Sequence, residues 1–136
     1  MSAEFAEAYG IEQIAFDGSA GVATSILFRA DTVGNSGNQL TNVLWELLRA
    51  VEAGGERADL LGPYRTVAQA LGELILGAYQ AAYVLGLFRI DEIIEKIHES
   101  QMSALDENGP VVRVDGKVLK APGYHRPQIG EYAQLP

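Results

Sequence analysis

Arg113, Lys117, Lys120, His125 and Arg126 fall within a window of 14 residues whose one acid is Asp115. In a chain of net charge −8 this is a local basic arm. Cations at that density make charge-assisted contacts to phosphate, so the arm suits an anionic ligand; the plainer alternative is a solvated turn with scattered charges. Glu46 stands beside Trp45, and Glu73 is the one acid between Arg65 and Gly86. Either carboxylate can ligate a divalent ion, accept N–H groups from a purine edge, or pair with Arg49 or Arg65. Trp45 is expected in the core or at a subunit interface, with base stacking as the alternative. His98 falls on a polar helix face and is expected in solvent. His125, between Tyr124 and Arg126, is the better ligand contact. No phosphate-binding loop, nucleophile elbow, His-Glu-x-x-His or EF-hand spacing occurs.

The elements that must position these groups are mainly helices. "EFAEAYG" (4–10) reads as a short helix stopped by Gly10, and 11–20 as a loop. Residues 20–33 fit strand or helix, with helix preferred, and "VGNSGN" (33–38) reads as a break with Ser36 as an N-cap. Apolar residues at 40, 43, 44, 47, 48 and 51 mark an amphipathic helix stopped by Gly54-Gly55. Pro63 is expected to open the next helix. That helix, apolar over most of its surface from Val67 to Leu85, is expected to be central, with Gly86 ending it. A further helix over 90–105 turns Ile93, Ile94, Ile97, Met102 and Leu105 inward. "VVRV-DG-KVLK" then predicts two short strands joined by a two-residue type I′ turn at Asp115-Gly116. The tail, 121–136, is expected to pack through Tyr124, Ile129 and Tyr132. The predicted architecture is one domain over 1–136: an all-α helical bundle with a short C-terminal β-hairpin (111–120) and an extended tail.

Composition narrows the partners. The acidic balance argues against DNA or RNA binding, which needs phosphate neutralisation by Lys and Arg. No apolar run reaches a membrane span, and no basic-then-apolar start suggests a signal peptide, so residence is expected to be cytoplasmic. Without cysteine there is neither a disulfide framework nor a thiolate metal site.

The stretch "DEIIEKIHESQMSALDENGPVVRVDGKVLKAPGYHRP", with "EFAEAYGI" near the start, resembles the MazG-like superfamily of all-α nucleotide pyrophosphohydrolases, in the branch similar to phosphoribosyl-ATP pyrophosphohydrolases. The resemblance covers 4–10 and 37–127. In that family two helices supply carboxylates that hold Mg²⁺ against a nucleoside triphosphate, and spacing of three or four residues puts them on one helix face. Here the acidic positions fall on Asn42, Val43 and Glu46, then on Ala70 and Glu73, so two carboxylates remain. At the helix end Gln101 stands for Asn and Ala104 for Lys. The Asp115-Gly116-Lys117 run, Lys120 and Tyr124 are kept.

The resemblance therefore implies a nucleotide pocket that keeps its basic arm while losing most of its metal ligands. The expected function is binding of a nucleotide or nucleotide-derived signal without efficient hydrolysis and without a cofactor, as in a sequestering protein of phage or mobile-element origin. Expected contacts are Asn42, Trp45, Glu46, Glu73, Gln101, Arg113, Lys117, Lys120, Tyr124 and His125. The alternative is an active pyrophosphohydrolase with a reduced Mg²⁺ site on Glu46 and Glu73. A third is a partner-binding helical protein with no small ligand. A homo-oligomer, dimer or tetramer, is expected from the family and from the very apolar helices.

Overall fold

A computed structural model describes residues 10–17, 20–106, 109–112, 116, 118–119 and 122–136. Its helices are α1 (Ala20–Glu52), α2 (Arg57–Val84) and α3 (Ile90–Ser103), followed by the short strands β1 (Leu105–Asp106), β2 (Gly109–Val112) and β3 (Val118–Leu119). The chain divides into two compact units, 1–86 and 87–136. The expected helix over 4–10 lies outside the described residues, apart from Gly10.

In the first unit, α1 runs without interruption through Val33–Asn38, where a break with a Ser36 cap was expected. Each helical glycine costs about 1 kcal/mol relative to alanine. Burial along a continuous stripe outweighs that local cost, since Val33, Ser36, Leu40, Val43, Leu47 and Ala50 are all half-buried or buried. Ser36 sits on this stripe instead of capping a helix. Thr32 and Thr41 satisfy their hydroxyls inside the helix, donating to the carbonyls of Phe28 (2.9 Å) and Gly37 (3.1 Å). The helix stops where predicted. Gly54 takes φ +74°, its N–H donates to the Val51 carbonyl, and the Gly55 N–H donates to that of Ala50. This is the reciprocal pair of a Schellman stop, with glycine at the left-handed position.

Two turns of backbone precede Pro63 in α2, so the proline lies inside the helix that it was expected to open. Its ring suits helical φ but removes one N–H. The turns before it are supported by the Glu56 N–H donating to Asp59 Oδ2 at 3.1 Å and by half-buried Leu60. The second helix returns antiparallel to the first. The Ile14 N–H donates to the Val84 carbonyl at 2.8 Å, and Val84 shares a surface depression with Thr24, Ser25 and Phe28 at the start of α1. Among the described residues, the buried apolar ones of this unit are Val43, Ala70, Ala82 and Val84. Leu61, Tyr64, Leu71, Ile75 and Leu76 are exposed, so α2 is not the enclosed central helix its composition predicted. A pair of helices has one mutual contact, and an all-round apolar helix cannot bury its other faces against a single neighbour.

In the second unit, Asp91 and Glu92 occupy the first turn of α3, where the helix dipole favours acids. Ile93 and Ser100 are buried, whereas Ile94, Ile97, Met102 and Leu105 of the expected inner face are exposed. The tail is tied to the last turn of this helix by hydrogen bonds. The Ser100 hydroxyl donates to the His125 carbonyl (2.6 Å), the His125 N–H donates to Ser103 Oγ (3.1 Å), and the Ser103 hydroxyl donates to the Ser100 carbonyl (2.6 Å). Beyond the clasp, the Arg89 guanidinium lies over the Tyr132 ring, 4.4 Å from its centroid, and bonds Glu92. Tyr124, Ile129 and Tyr132 are half-buried.

The strands pair antiparallel, with Leu105 opposite Pro110 and Val112 opposite Val118. A two-residue turn at Asp115-Gly116 would set Val112 opposite Leu119 instead. The described register leaves an odd number of residues between the pairs and does not fit the expected type I′ connection. Residues 113–115 and 117 lie outside the described set.

Candidate functional site

The wheel of an antiparallel helix pair sorts the first unit's side chains into two broad faces. Successive helix residues are about 100° apart, and reversing one helix reverses the sense of rotation seen by its partner. Residues that immediately precede inward positions therefore share one face of the pair, and residues that immediately follow them share the other. Asn42 and Glu46 precede Val43 and Leu47, while Gln69 and Glu73 precede Ala70 and Leu74. All four are exposed. The structure thus brings Asn42, Glu46 and Glu73 onto one polar face, together with Gln39 and Gln69.

The other two positions of the expected acidic set are core. Val43 is 3% exposed and Ala70 4%. Small apolar residues at these sites let the two helices close on one another. A carboxylate in either place would have to leave water. The helix pairing also spaces the two acids that remain. With Val84 beside Thr24–Phe28 at one end and the Gly54 turn at the other, Glu73 lies across from residues near the middle of α1. That puts it on the order of 10 Å along the helix axes from Glu46. Two carboxylates around one divalent ion stand closer than this within a single copy. Glu73 accepts a hydrogen bond from Gln69 Nε2 at 3.1 Å. Among the described residues neither acid makes an ion pair, so the pairing with Arg49 or Arg65 is not formed. No group of three or more metal-ligating side chains occurs among the described residues.

Trp45 is 55% exposed and so is not core within one chain. It lies two residues from both Val43 and Leu47, which turns it away from α2. A shallow groove lined by Thr41, Leu44, Trp45 and Leu48 runs beside it.

In the second unit, Gln101 and His125 are exposed and Tyr124 is half-buried. The backbone of His125 is engaged by Ser100 and Ser103, and its ring Nδ1 lies 3.3 Å from the Arg126 carbonyl oxygen. His98 is exposed, as its polar face predicted. Arg113, Lys117 and Lys120 lie outside the described residues. Sequence reasoning passed over the anchoring serines and Arg89. Hydroxyls in a last helical turn that bind distant backbone leave no periodic signal in the sequence. The Arg89 guanidinium is held above its ordinary range, first by the hydrogen bond to Glu92 and then by the charges of Glu92, Tyr132 and Glu131.

No helix among the described residues is long and apolar enough to cross a membrane. Compared with known protein families and with curated proteins, the chain matches none.

Proposed function

We propose that the protein binds a nucleotide or nucleotide-derived anion, without efficient hydrolysis, as a MazG-like homo-oligomer whose metal ligands have been replaced. The observation that carries this reading is the polar face of α1 and α2. It gathers Asn42, Glu46 and Glu73, while Val43 and Ala70, where further acids would be needed to hold several ions, are packed between the helices. Amide and carboxylate groups on such a face recognise the N–H and carbonyl edge of a base by hydrogen bonding alone. The reading assigns base contacts to Asn42, Trp45, Glu46 and Glu73. From the family resemblance it takes Arg113, Lys117, Lys120, Tyr124 and His125 as candidate phosphate contacts, and Gln101 as a phosphate or base contact. It takes the protein as cytoplasmic, with no DNA, RNA or membrane as partner and no cofactor.

Titration calorimetry with a nucleotide panel in EDTA tests it. Binding of at least one nucleotide is expected, because no ion is needed to bridge ligand and protein. Glu46→Gln and Glu73→Gln are expected to change which base is preferred. Lys117→Ala with Lys120→Ala is expected to weaken binding roughly 10²-fold or more while the helices stay folded, since each charge-assisted contact is worth about 1.5–3 kcal/mol. Loss of all binding in EDTA overturns the metal-free reading, and robust pyrophosphate release with Mg²⁺ that the two glutamine variants abolish would make the protein a metal-dependent pyrophosphohydrolase instead.

A further inference from the structure

The depression at the end of the α1–α2 pair remote from the Gly54 turn has a volume of about 370 Å³. That lies within the range of small-molecule sites. Glu12 and Arg29 both line it. Arg29 is the one Lys or Arg among the first 48 residues, and it is half-buried. Its guanidinium carbon lies 5.0 Å from the centroid of the Phe28 ring. Among the described residues, neither Glu12 nor Arg29 makes an ion pair. Two opposite charges thus border one small cavity without neutralising each other. We infer that this depression is a binding site for a free α-amino acid with a large apolar side chain, Arg29 taking its carboxylate and Glu12 its ammonium group.

The lining selects that class in three ways. The first is charge. Glu12 opposes a bare anion such as phosphate and Arg29 opposes a bare amine, so a zwitterion is the small ligand that meets both with charge-assisted bonds. The second is the supply of hydroxyls. Thr24 and Ser25 line the same depression. Thr32, Thr41 and Thr66 donate to the carbonyl four residues earlier, whereas the Thr24 and Ser25 hydroxyls have no partner among the described residues. Each can donate to a carboxylate or accept from an ammonium group. The third is the apolar wall, formed by Ile11, Phe28 and Val84. The Phe28 ring is 59% exposed and open to stacking by a ligand. The wall is also anchored. The Ile14 N–H donates to the Val84 carbonyl at 2.8 Å, which ties the segment carrying Ile11 and Glu12 to the last turn of α2. Along α1 this site lies roughly 20 Å from Asn42, so it is separate from the polar face and does not depend on what that face binds.

Titration of the isotope-labelled protein with L-phenylalanine, followed through backbone amide shifts, tests the assignment. Saturable shifts are expected at the amides of 10–12 and 24–29, with a dissociation constant of about 1 mM or tighter for a ligand of this size. Phenylpropionate keeps the ring and carboxylate, and phenethylamine keeps the ring and ammonium group. Each should bind roughly 10-fold more weakly or worse, having lost one charge-assisted contact. Arg29→Met should weaken phenylalanine by a similar factor. Glu12→Gln should weaken phenylalanine yet strengthen phenylpropionate, whose charge it no longer opposes; a merely misfolded variant would lose both. Absence of shifts at these amides up to about 10 mM phenylalanine overturns the inference. So does unchanged binding by Arg29→Met, or phenylpropionate binding as tightly as phenylalanine. Glu46→Gln and Glu73→Gln should leave phenylalanine binding unaltered, so failure of nucleotide binding would reject the proposed function and leave this site standing.

Discussion

Val43 and Ala70 separate two accounts of the same positions. As places in a metal cage they invite acids; as the contact between two helices they exclude them. A glutamate at either is forced into an apolar interface without a partner, at a cost of about 3–5 kcal/mol. Val43→Glu and Ala70→Glu are each expected to lower the melting temperature by roughly 10 °C or more. Asn42→Asp, on the open face, should stay within about 0.5 kcal/mol of the parent. A Val43→Glu protein as stable as its parent would show that the side chain is not held between the helices. At the same scale, Ser103→Ala removes the acceptor of the His125 N–H. Amide exchange at His125 should accelerate, with about 1 kcal/mol of tail anchoring lost. Unchanged exchange there would mean that the tail is held by other contacts. That Glu46 and Glu73 lie on helices was legible from the apolar spacing around them. The serine clasp was not, because hydroxyls that bind backbone leave no periodic trace.

At the scale of the elements, the largest departure from the sequence pattern is the passage of α1 through Gly34 and Gly37. Glycine, asparagine and serine each weaken a helix locally, and five such residues among the six of 33–38 read as a loop. The inward stripe of α1 continues through them, and periodicity decides over propensity when one face is covered by a neighbour. If the helix is continuous, alanine at an outward glycine with open space around it should stabilise the protein. Gly34 and Gly72 both meet that condition. Gly34→Ala and Gly72→Ala are each expected to add about 0.5–1 kcal/mol in denaturant unfolding, partly by restricting the unfolded chain. Destabilisation by Gly34→Ala would put a bend in α1 after all. The helix stops at Gly54 and Gly86 were readable because a left-handed residue has a narrow choice of types. The start of α2 was misplaced because proline marks a first turn more often than an interior one.

For the whole molecule, the helical class was legible, and so was the excess of apolar surface, but not which surfaces remain open. Amphipathic spacing shows that a residue belongs to a stripe. It does not say whether the stripe meets the same chain or another. Residues 44, 48 and 51 belong to the same apolar pattern as 40, 43 and 47, yet only the latter turn toward α2. The geometry of the α1–α2 pair also fixes an order of assembly. Its contacts begin between near neighbours across the Gly54 turn and widen steadily, ending with partners as remote in sequence as Thr24 and Val84. Each successive contact closes little additional loop once the previous one exists, so the pair can form like a zip from the turn outward. Protection against hydrogen exchange should then be graded within single helices, strongest over Val43–Ala50 and Val67–Leu74 and weakest in the first turns of α1. The far end of the pair, where the segment containing Ile14 bonds the last turn of α2, would be the last part to close and the first to open.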